Sequence, residues 1–461
     1  MRNALIKYSV FALLLCFSLP AQAEKVLDIQ SLETDSGIDI WLVEDHNTPI
    51  IALDFSMPGG LALDDMDMPG RAYLVSILLD EGAGDMDSQT FQKALADQSI
   101  SLGFSAGRDF FTGGLKTLTH NLDTAANLLN LALTEPRFDA DAIARMKQST
   151  KASIQQNLSD PGWIAARSYN GLLFEGSAYS LPGQGTLESL EEISRKDLQS
   201  FTKSQFVKQN LKVAIAGDIT TEDAKALVSR IFDDLPKDSP EALPKNNVEF
   251  QNLGKIFLYH FSNPQTHIIA GHKGIAVTDE DWPTAQLINY SLGGGGFDSR
   301  LMEEIREKRG LTYGVSSYLA SMKHAPMIQV SLSTSSENAA ESLSILKKEW
   351  ARMATTGPTE EELENAKSYL TSSLLLNLTS TDSIASALNG LQQYGFDADY
   401  INRRNDRLNA VTIDQARVVA GRLLDPDELM TITVGEPAGL EPDKHLKSIP
   451  GMPDTGEETD E

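Results

Sequence analysis

One cysteine and seven histidines are all that this 461-residue chain contains. The cysteine, Cys16, falls inside an N-terminal stretch with the pattern of an export leader. Arg2 and Lys7 give a basic start, residues 8–19 are apolar, and Ala21, Gln22 and Ala23 supply small residues for cleavage. The apolar run is too short to span a bilayer, and Leu15 stands where a lipoprotein signal needs a small residue before its cysteine. Cleavage is expected near Ala23, with delivery to a periplasm, or secretion beyond it. The mature chain would carry no thiol, which excludes disulfide staples, a cysteine nucleophile and cysteine metal ligands. Basic charge is scarce as well: 39 Lys+Arg face 65 Asp+Glu, a net −26, which becomes −28 once Arg2 and Lys7 leave with the leader. Such a balance argues against nucleic acid and anionic membranes as partners. No later apolar run is long enough to span a membrane.

What the sequence does contain is one pattern written twice. About 438 residues remain after the leader, too many for a single core. A polar, proline-bearing stretch at 234–247 (DLPKDSPEALPKNN) divides them like a linker. On either side, Ile50-Ile51-Ala52 matches Ile268-Ile269-Ala270 at an offset of 218, and VAIAGDI at 213–219 matches TITVGEP at 431–437 at the same offset. Two helical stretches, 143–158 and 363–378, align at 220. Three agreeing offsets point to a duplication; two unrelated α+β domains are the alternative. Alternating runs such as IALDFSM predict half-buried strands, and stretches such as DTAANLLNLAL predict helices. The expected fold class is α+β: two tandem homologous domains, 24–233 and 248–442, each a mainly antiparallel sheet with helices packed on one face. Residues 443–461 read as an acidic, disordered tail.

The densest motif is LGGGGFDSRLMEEIREKRGLTY at 292–313. Four glycines, Gly293, Gly294, Gly295 and Gly296, let something approach the main chain closely, either an extended peptide or the helix expected at 298–308. No Gly-Lys-Ser/Thr follows them, so a phosphate loop is a poorer reading, and no serine-histidine-acid signature is present. A duplicated α+β unit with this segment in its second copy resembles the M16 (pitrilysin/insulinase, mitochondrial processing peptidase) family, in its short two-domain bacterial branch. Active members of that family hold zinc through His-x-x-Glu-His on a first-half helix and a second glutamate on a later one. In this chain GRAYLVSI at 70–77 aligns with the motif, which puts Tyr73, Ser76 and Ile77 at the two histidine and glutamate positions. Matching the flanks of the later helix puts Ser153 at the last ligand position. None of the four can bind zinc, and Tyr73 and Ile77 can pack as an apolar plug instead. A rebuilt site from Asp80, Glu81 and Asp85 would lack a histidine, since His46 and His120 lie elsewhere; carboxylates alone suit Ca²⁺ or Mg²⁺. His260, His267 and His272 read as structural, the last two pointing to opposite faces of a strand.

In the family the second half lends an arginine and a tyrosine, seven apart, to the catalytic site. The resemblance assigns these roles to Arg306 and Tyr313. An arginine fork can hold a peptide carbonyl, and a tyrosine hydroxyl can donate to an oxygen that becomes negative. The competing reading puts Arg306 on a solvated helix face of i,i+4 pairs and Tyr313 in an ordinary strand. The resemblance therefore implies a non-catalytic subunit that binds peptide substrates and complements the site of a zinc-bearing, His-x-x-Glu-His sister chain in a heterodimer. The alternative is a non-enzymatic peptide-binding or scaffold protein, possibly homodimeric. A catalyst with an unrecognised site is a third reading, disfavoured by the scarcity of histidine. No cofactor is expected in this chain itself.

Overall fold

The computed structural model describes residues 25–239 and 248–451. The expected leader, most of the connecting stretch and residues 452–461 lie outside the described residues. Two six-stranded sheets make up the frame. The first half contributes β1 (Gln30–Glu33), β2 (Asp39–Glu44), β3 (Ile50–Pro58), a small ribbon of β4 (Gly82–Ala83) and β5 (Met86–Asp87), then β6 (Ser101–Ala106), β7 (Phe110–Leu118) and β8 (Lys212–Gly217). The second contributes β9 (Ile256–His260), β10 (Gln265–Lys273), β11 (Thr312–Ala320), β12 (Met327–Ser335), β13 (Met430–Gly435) and β14 (Lys444–Leu446). The sheet orders are β1-β2-β8-β3-β7-β6 and β14-β9-β13-β10-β12-β11. β2 runs parallel to β8, and β9 parallel to β13; the central β3–β7 and β10–β12 pairs are antiparallel.

From β2 to β6 and from β9 to β11 the two sheets have the same topology, so the repeat is real. One sequence alignment, however, needs correction. β7 and β12 are offset by 217 and β8 and β13 by 218, but β3 and β10, both nine residues, are offset by 215. Gly217 crosses Ile51, and Gly435 crosses Thr266. The partner of Ile51 is therefore Thr266, not Ile269. Because side chains alternate along a strand, a slip of three exchanges its faces. The chain also stays ordered beyond 443: β14 pairs in parallel with β9, and Ile449 is buried.

Each sheet lays one face on helices of its own half. Phe55, Phe111, Phe201, Phe206 and Phe232 anchor the first core, and Trp350, Leu346, Ile305 and Ile328 the second. The opposite face is covered by the other half. The Pro161–Leu173 helix puts Ile164, Ala165 and Tyr169 on Ile269, Ile432 and Val434 of the second sheet. Its repeat, the Thr381–Gln393 helix, puts Ala385 and Leu388 on Trp41, Ala52 and Ala214 of the first. Both helices start cleanly: Asp160 caps one, accepting from Gly162 N–H at 2.8 Å, and Pro161 occupies the first turn. Ser380 and Ser383 form a capping box on the other. Each large apolar side chain buried in this exchange stabilises the pairing by roughly 1.5–3 kcal/mol.

His267 and His272 point to opposite faces, as their spacing predicts. His267 Nδ1 meets Ser333 Oγ at 2.7 Å, beside Gly162 of the exchanged helix. His272 is buried on the other face, where its Nδ1–H donates to the Lys273 carbonyl at 2.8 Å. Its Nε2 accepts from Trp350 Nε1–H at 3.0 Å and from the Asp425 N–H at 3.2 Å. These partners fix the neutral ring, and burial pushes its pKa down. A histidine held neutral adds stability above its unfolded pKa of about 6.5, and that stability drains away as pH falls below it. Between about pH 6.5 and 5, the denaturation midpoint of the wild type should fall more steeply than that of His272→Gln. Parallel pH profiles would refute this.

Candidate functional site

In the first half, the short Arg71–Ser76 helix carries the residues aligned with the metal motif. Asp64, almost fully buried, holds its start, accepting from Gly70 N–H at 2.8 Å and Ala72 N–H at 3.0 Å. Burial raises the Asp64 pKa to about 6 against the pull of those two donors. Gly70 has a φ of +97°, and a Cβ there would stand 2.8 Å from the Gly185 Cα, so only glycine fits. Asp64 itself escaped the sequence reading, since a lone aspartate in a loop carries no signal of capping a helix six residues on.

Tyr73 lines a crevice of about 320 Å³ with Leu61, Arg108 and Trp163. Ser76 is buried and spends its hydroxyl on the Tyr73 carbonyl at 2.7 Å. Ile77 ends the helix and packs against the first core, so Tyr73 and Ile77 do not form one plug. Ser153 is half-buried on the Ala140–Asn157 helix. Tyrosine, serine, isoleucine and serine do not fit zinc. Nearby carboxylates are otherwise engaged: Glu81 accepts from Ser88 Oγ at 2.5 Å and pairs with Arg145, and Asp80 accepts from Gln92 at 3.1 Å. Among the described residues no three His, Cys, Asp or Glu side chains are grouped to hold a metal.

In the second half the glycines open a run of wide helical turns. Gly295 N–H bonds back five residues to Tyr290, and Lys308 N–H to Glu303. The expected 298–308 helix is therefore a π-type segment, Met302–Glu307, the kind of irregularity that re-aims side chains. What approaches Gly293 is the protein's own strand β11: a Cβ there would lie 2.6 Å from Ser317 Oγ and 2.9 Å from its backbone nitrogen. Gly293 is buried and serves internal packing, not substrate, whereas Gly294 and Gly296 stay exposed. Gly294 and Gly295 sit tight against Asn289 and Tyr290 of the preceding turn, and Gly296 turns at a φ of +58° in open space.

Arg306 and Tyr313 flank the junction of this segment with β11, where Val315 N–H meets Met302 Sδ at 3.4 Å. Arg306 does not join the charged pairs of its helix. Glu304 takes Lys308 and Arg309, both at 2.7 Å, while the Arg306 guanidinium lies 4.5 Å over the Phe297 ring. Tyr313 sits in a β-bulge on the edge strand. Thr312 faces Thr334 and Val315 faces Leu332, so Tyr313 and Gly314 together oppose Ser333. The Thr312 hydroxyl fastens the bulge, donating to the Ser333 carbonyl at 2.6 Å and accepting from Gly314 N–H at 3.1 Å. The result is a tyrosine 84% exposed, while Phe297, under the Arg306 guanidinium, is 60% exposed. Below them Arg300 is buried and grips Glu362 with Nε at 2.5 Å and Nη2 at 2.6 Å, while Nη2 also reaches the Gly357 carbonyl at 2.9 Å. Sequence reading missed this pair because its members are 62 residues apart.

These features define a duplicated α+β protein whose Arg71–Ser76 helix carries no metal-binding side chain and whose Tyr313 stands exposed on a sheet edge. Residues 192–370 match the family model described as the peptidase M16 inactive domain. A Helicobacter pylori protein described as the non-peptidase homolog YmxG is 26% identical over 368 residues, covering 80% of this chain and 84% of its own. A Bacillus subtilis protein described as an uncharacterized zinc protease is 20% identical over 405 residues, 88% of this chain and 98% of its own. A crystal structure of a peptidase M16 inactive domain from Pseudomonas fluorescens superposes with a TM-score of 0.83 at 27% identity, covering 90% of this chain and 100% of that one. A protease structure from Helicobacter pylori shares the fold, with a TM-score of 0.79 at 16% identity over 88% of this chain and 99% of that one. Residues 192–370 thus form a peptidase M16 inactive domain, and the chain as a whole is similar to M16 proteins, among them one described as a non-peptidase homolog. Among the described residues no helix is long and apolar enough to cross a membrane.

Proposed function

We propose that this chain is the substrate-binding, site-complementing subunit of a heterodimeric M16-type zinc peptidase acting on peptides in the periplasm. A sister chain would supply His-x-x-Glu-His and the zinc. This chain would supply Arg306 to hold a peptide carbonyl and Tyr313 to donate to the oxygen that gains charge. The observation that carries the reading is the bulge at Tyr313, which pushes an aromatic hydroxyl into solvent at a sheet edge while Arg306 stays outside the ion pairs around it. Neither arrangement serves the chain's own packing, and bulges of this kind gather beside active sites.

The test is peptide hydrolysis with zinc, by this chain alone and mixed with an exported sister bearing the intact motif. Activity only in the mixture is the expected result. Activity of this chain alone, removed by a chelator, would overturn the assignment of Tyr73, Ser76, Ile77 and Ser153. Peptide binding without cleavage in the mixture would favour the scaffold alternative.

A further inference from the structure

Where the two halves meet, away from Tyr313, the ends of β3 and β7, the β11–β12 hairpin and the end of the Thr381–Gln393 helix enclose a cavity of about 570 Å³. That is within the range of small-ligand sites. No aspartate or glutamate lines it, in a chain with a net charge of −26. Its basic side chains are Lys212, Lys323 and His324. Lys212 is already paired with Asp39. Lys323 has no carboxylate partner among the described residues: its ammonium lies 5.6 Å over the Phe110 ring, and only its backbone N–H is engaged, with Asp109 at 2.9 Å.

Gln392 also lines the cavity, is 5% exposed, and both its Oε1 and its Nε2 are buried without a hydrogen-bond partner among the described residues. Buried amides are rarely left so, and each orphan calls for an explanation. A carboxamide presents one acceptor and one donor side by side, and the main-chain N–H and C=O of a single residue in an extended peptide satisfy both. The free ammonium calls for an anion. Phe110 and Tyr394, edge to face at 6.2 Å, give the walls an apolar surface.

We propose that this cavity binds the C-terminal end of a peptide, with the terminal carboxylate at Lys323, the main-chain N–H and C=O of the penultimate residue at Gln392 and an aliphatic side chain against Phe110 and Tyr394. The site stands on its own, whether or not the chain works with a sister. Titration calorimetry of the mature chain with an acetylated alanine-alanine-leucine tripeptide should show saturable one-to-one binding. The same tripeptide capped as its C-terminal amide should bind at least about tenfold weaker, as expected when a charge-assisted hydrogen bond is lost. Lys323→Met should weaken the free acid about as much and erase the difference between acid and amide. Gln392→Leu should weaken both ligands while melting no lower than the wild type, because it removes two unsatisfied polar atoms. Equal binding of acid and amide, wild-type affinity in either variant, or no binding at all would overturn the proposal. Should Gln392→Leu fail to fold, the exposed Lys323→Met variant decides the matter.

Discussion

If the proposed complementation holds, the Arg306→Ala chain mixed with a His-x-x-Glu-His sister should turn over a peptide about 10²–10³-fold more slowly than the wild-type pair, the size of effect seen when one transition-state donor is removed. The chain itself should remain folded. Arg306 makes no ion pair among the described residues, and its contact with Phe297 is a partly exposed cation–π pair of about 0.5–1 kcal/mol. Tyr313→Phe should give a loss of the same order, also without unfolding, because the ring is 84% exposed. The two variants separate by kinetics. A donor used only as charge develops lowers kcat, whereas a group that holds substrate and transition state alike raises KM. Tyr313→Phe is expected to act on kcat, and Arg306→Ala on both. Unchanged rates in both variants would refute the lending role and leave Arg306 and Tyr313 as surface features.

Arg300→Met should be the most destabilising single change in the second half, by about 3–5 kcal/mol, because removing one member of a buried pair strands the other. Arg300 is 3% exposed and holds both oxygens of Glu362. Burial alone would raise the Glu362 pKa, but hydrogen bonds from Arg300 and Thr359 outweigh it and hold the carboxyl below its ordinary value. Its contribution is therefore complete above the ordinary carboxylate range and fades as pH falls through the depressed pKa. Denaturant unfolding at neutral pH should show the full gap between wild type and variant, and the gap should narrow in acid. The double variant Arg300→Met with Glu362→Gln should recover part of the loss. A gap under about 1 kcal/mol would place this pair with ordinary surface salt bridges.

Much of this molecule was legible in its sequence because the duplication repeats glycines and caps as well as apolar residues. Gly217 and Gly435 both end a strand that crosses its neighbour at a point where no side chain fits, so the offset of 218 survives there. The Ile-Ile-Ala match failed by three residues because apolar triplets recur along any buried strand, whereas register is set by pairing partners that a linear comparison does not see. The glycine run was correctly read as a place of close approach. Its occupant is Ser317 of β11, brought there by a bulge and wide turns, which no periodicity announces. Alignment with a motif singles out Tyr73, Ser76, Ile77 and Ser153; their surroundings, from the capping Asp64 to the ion-paired Glu81, are not legible in sequence, since these contacts join separate segments. The crossing of one helix from each half onto the opposite sheet left no trace in composition, as a helix packed on a foreign sheet needs the same apolar stripe as one packed at home.

That crossing makes each half the missing layer of the other. Severing the chain between residues 239 and 248 should yield two fragments that co-purify as one particle, since Trp41, Ala52 and Ala214 on one side and Ile269, Ile432 and Val434 on the other would otherwise face water. The half-chain is thus closer to a protomer than to an autonomous domain, and the covalent link works as a tether that raises the local concentration of a partner already required. An obligate assembly of this kind owes its integrity to the reciprocal clasp of the Pro161–Leu173 and Thr381–Gln393 helices. That clasp is made of apolar side chains, none of them at positions 73, 76, 77 or 153, so the architecture does not depend on what those four positions carry.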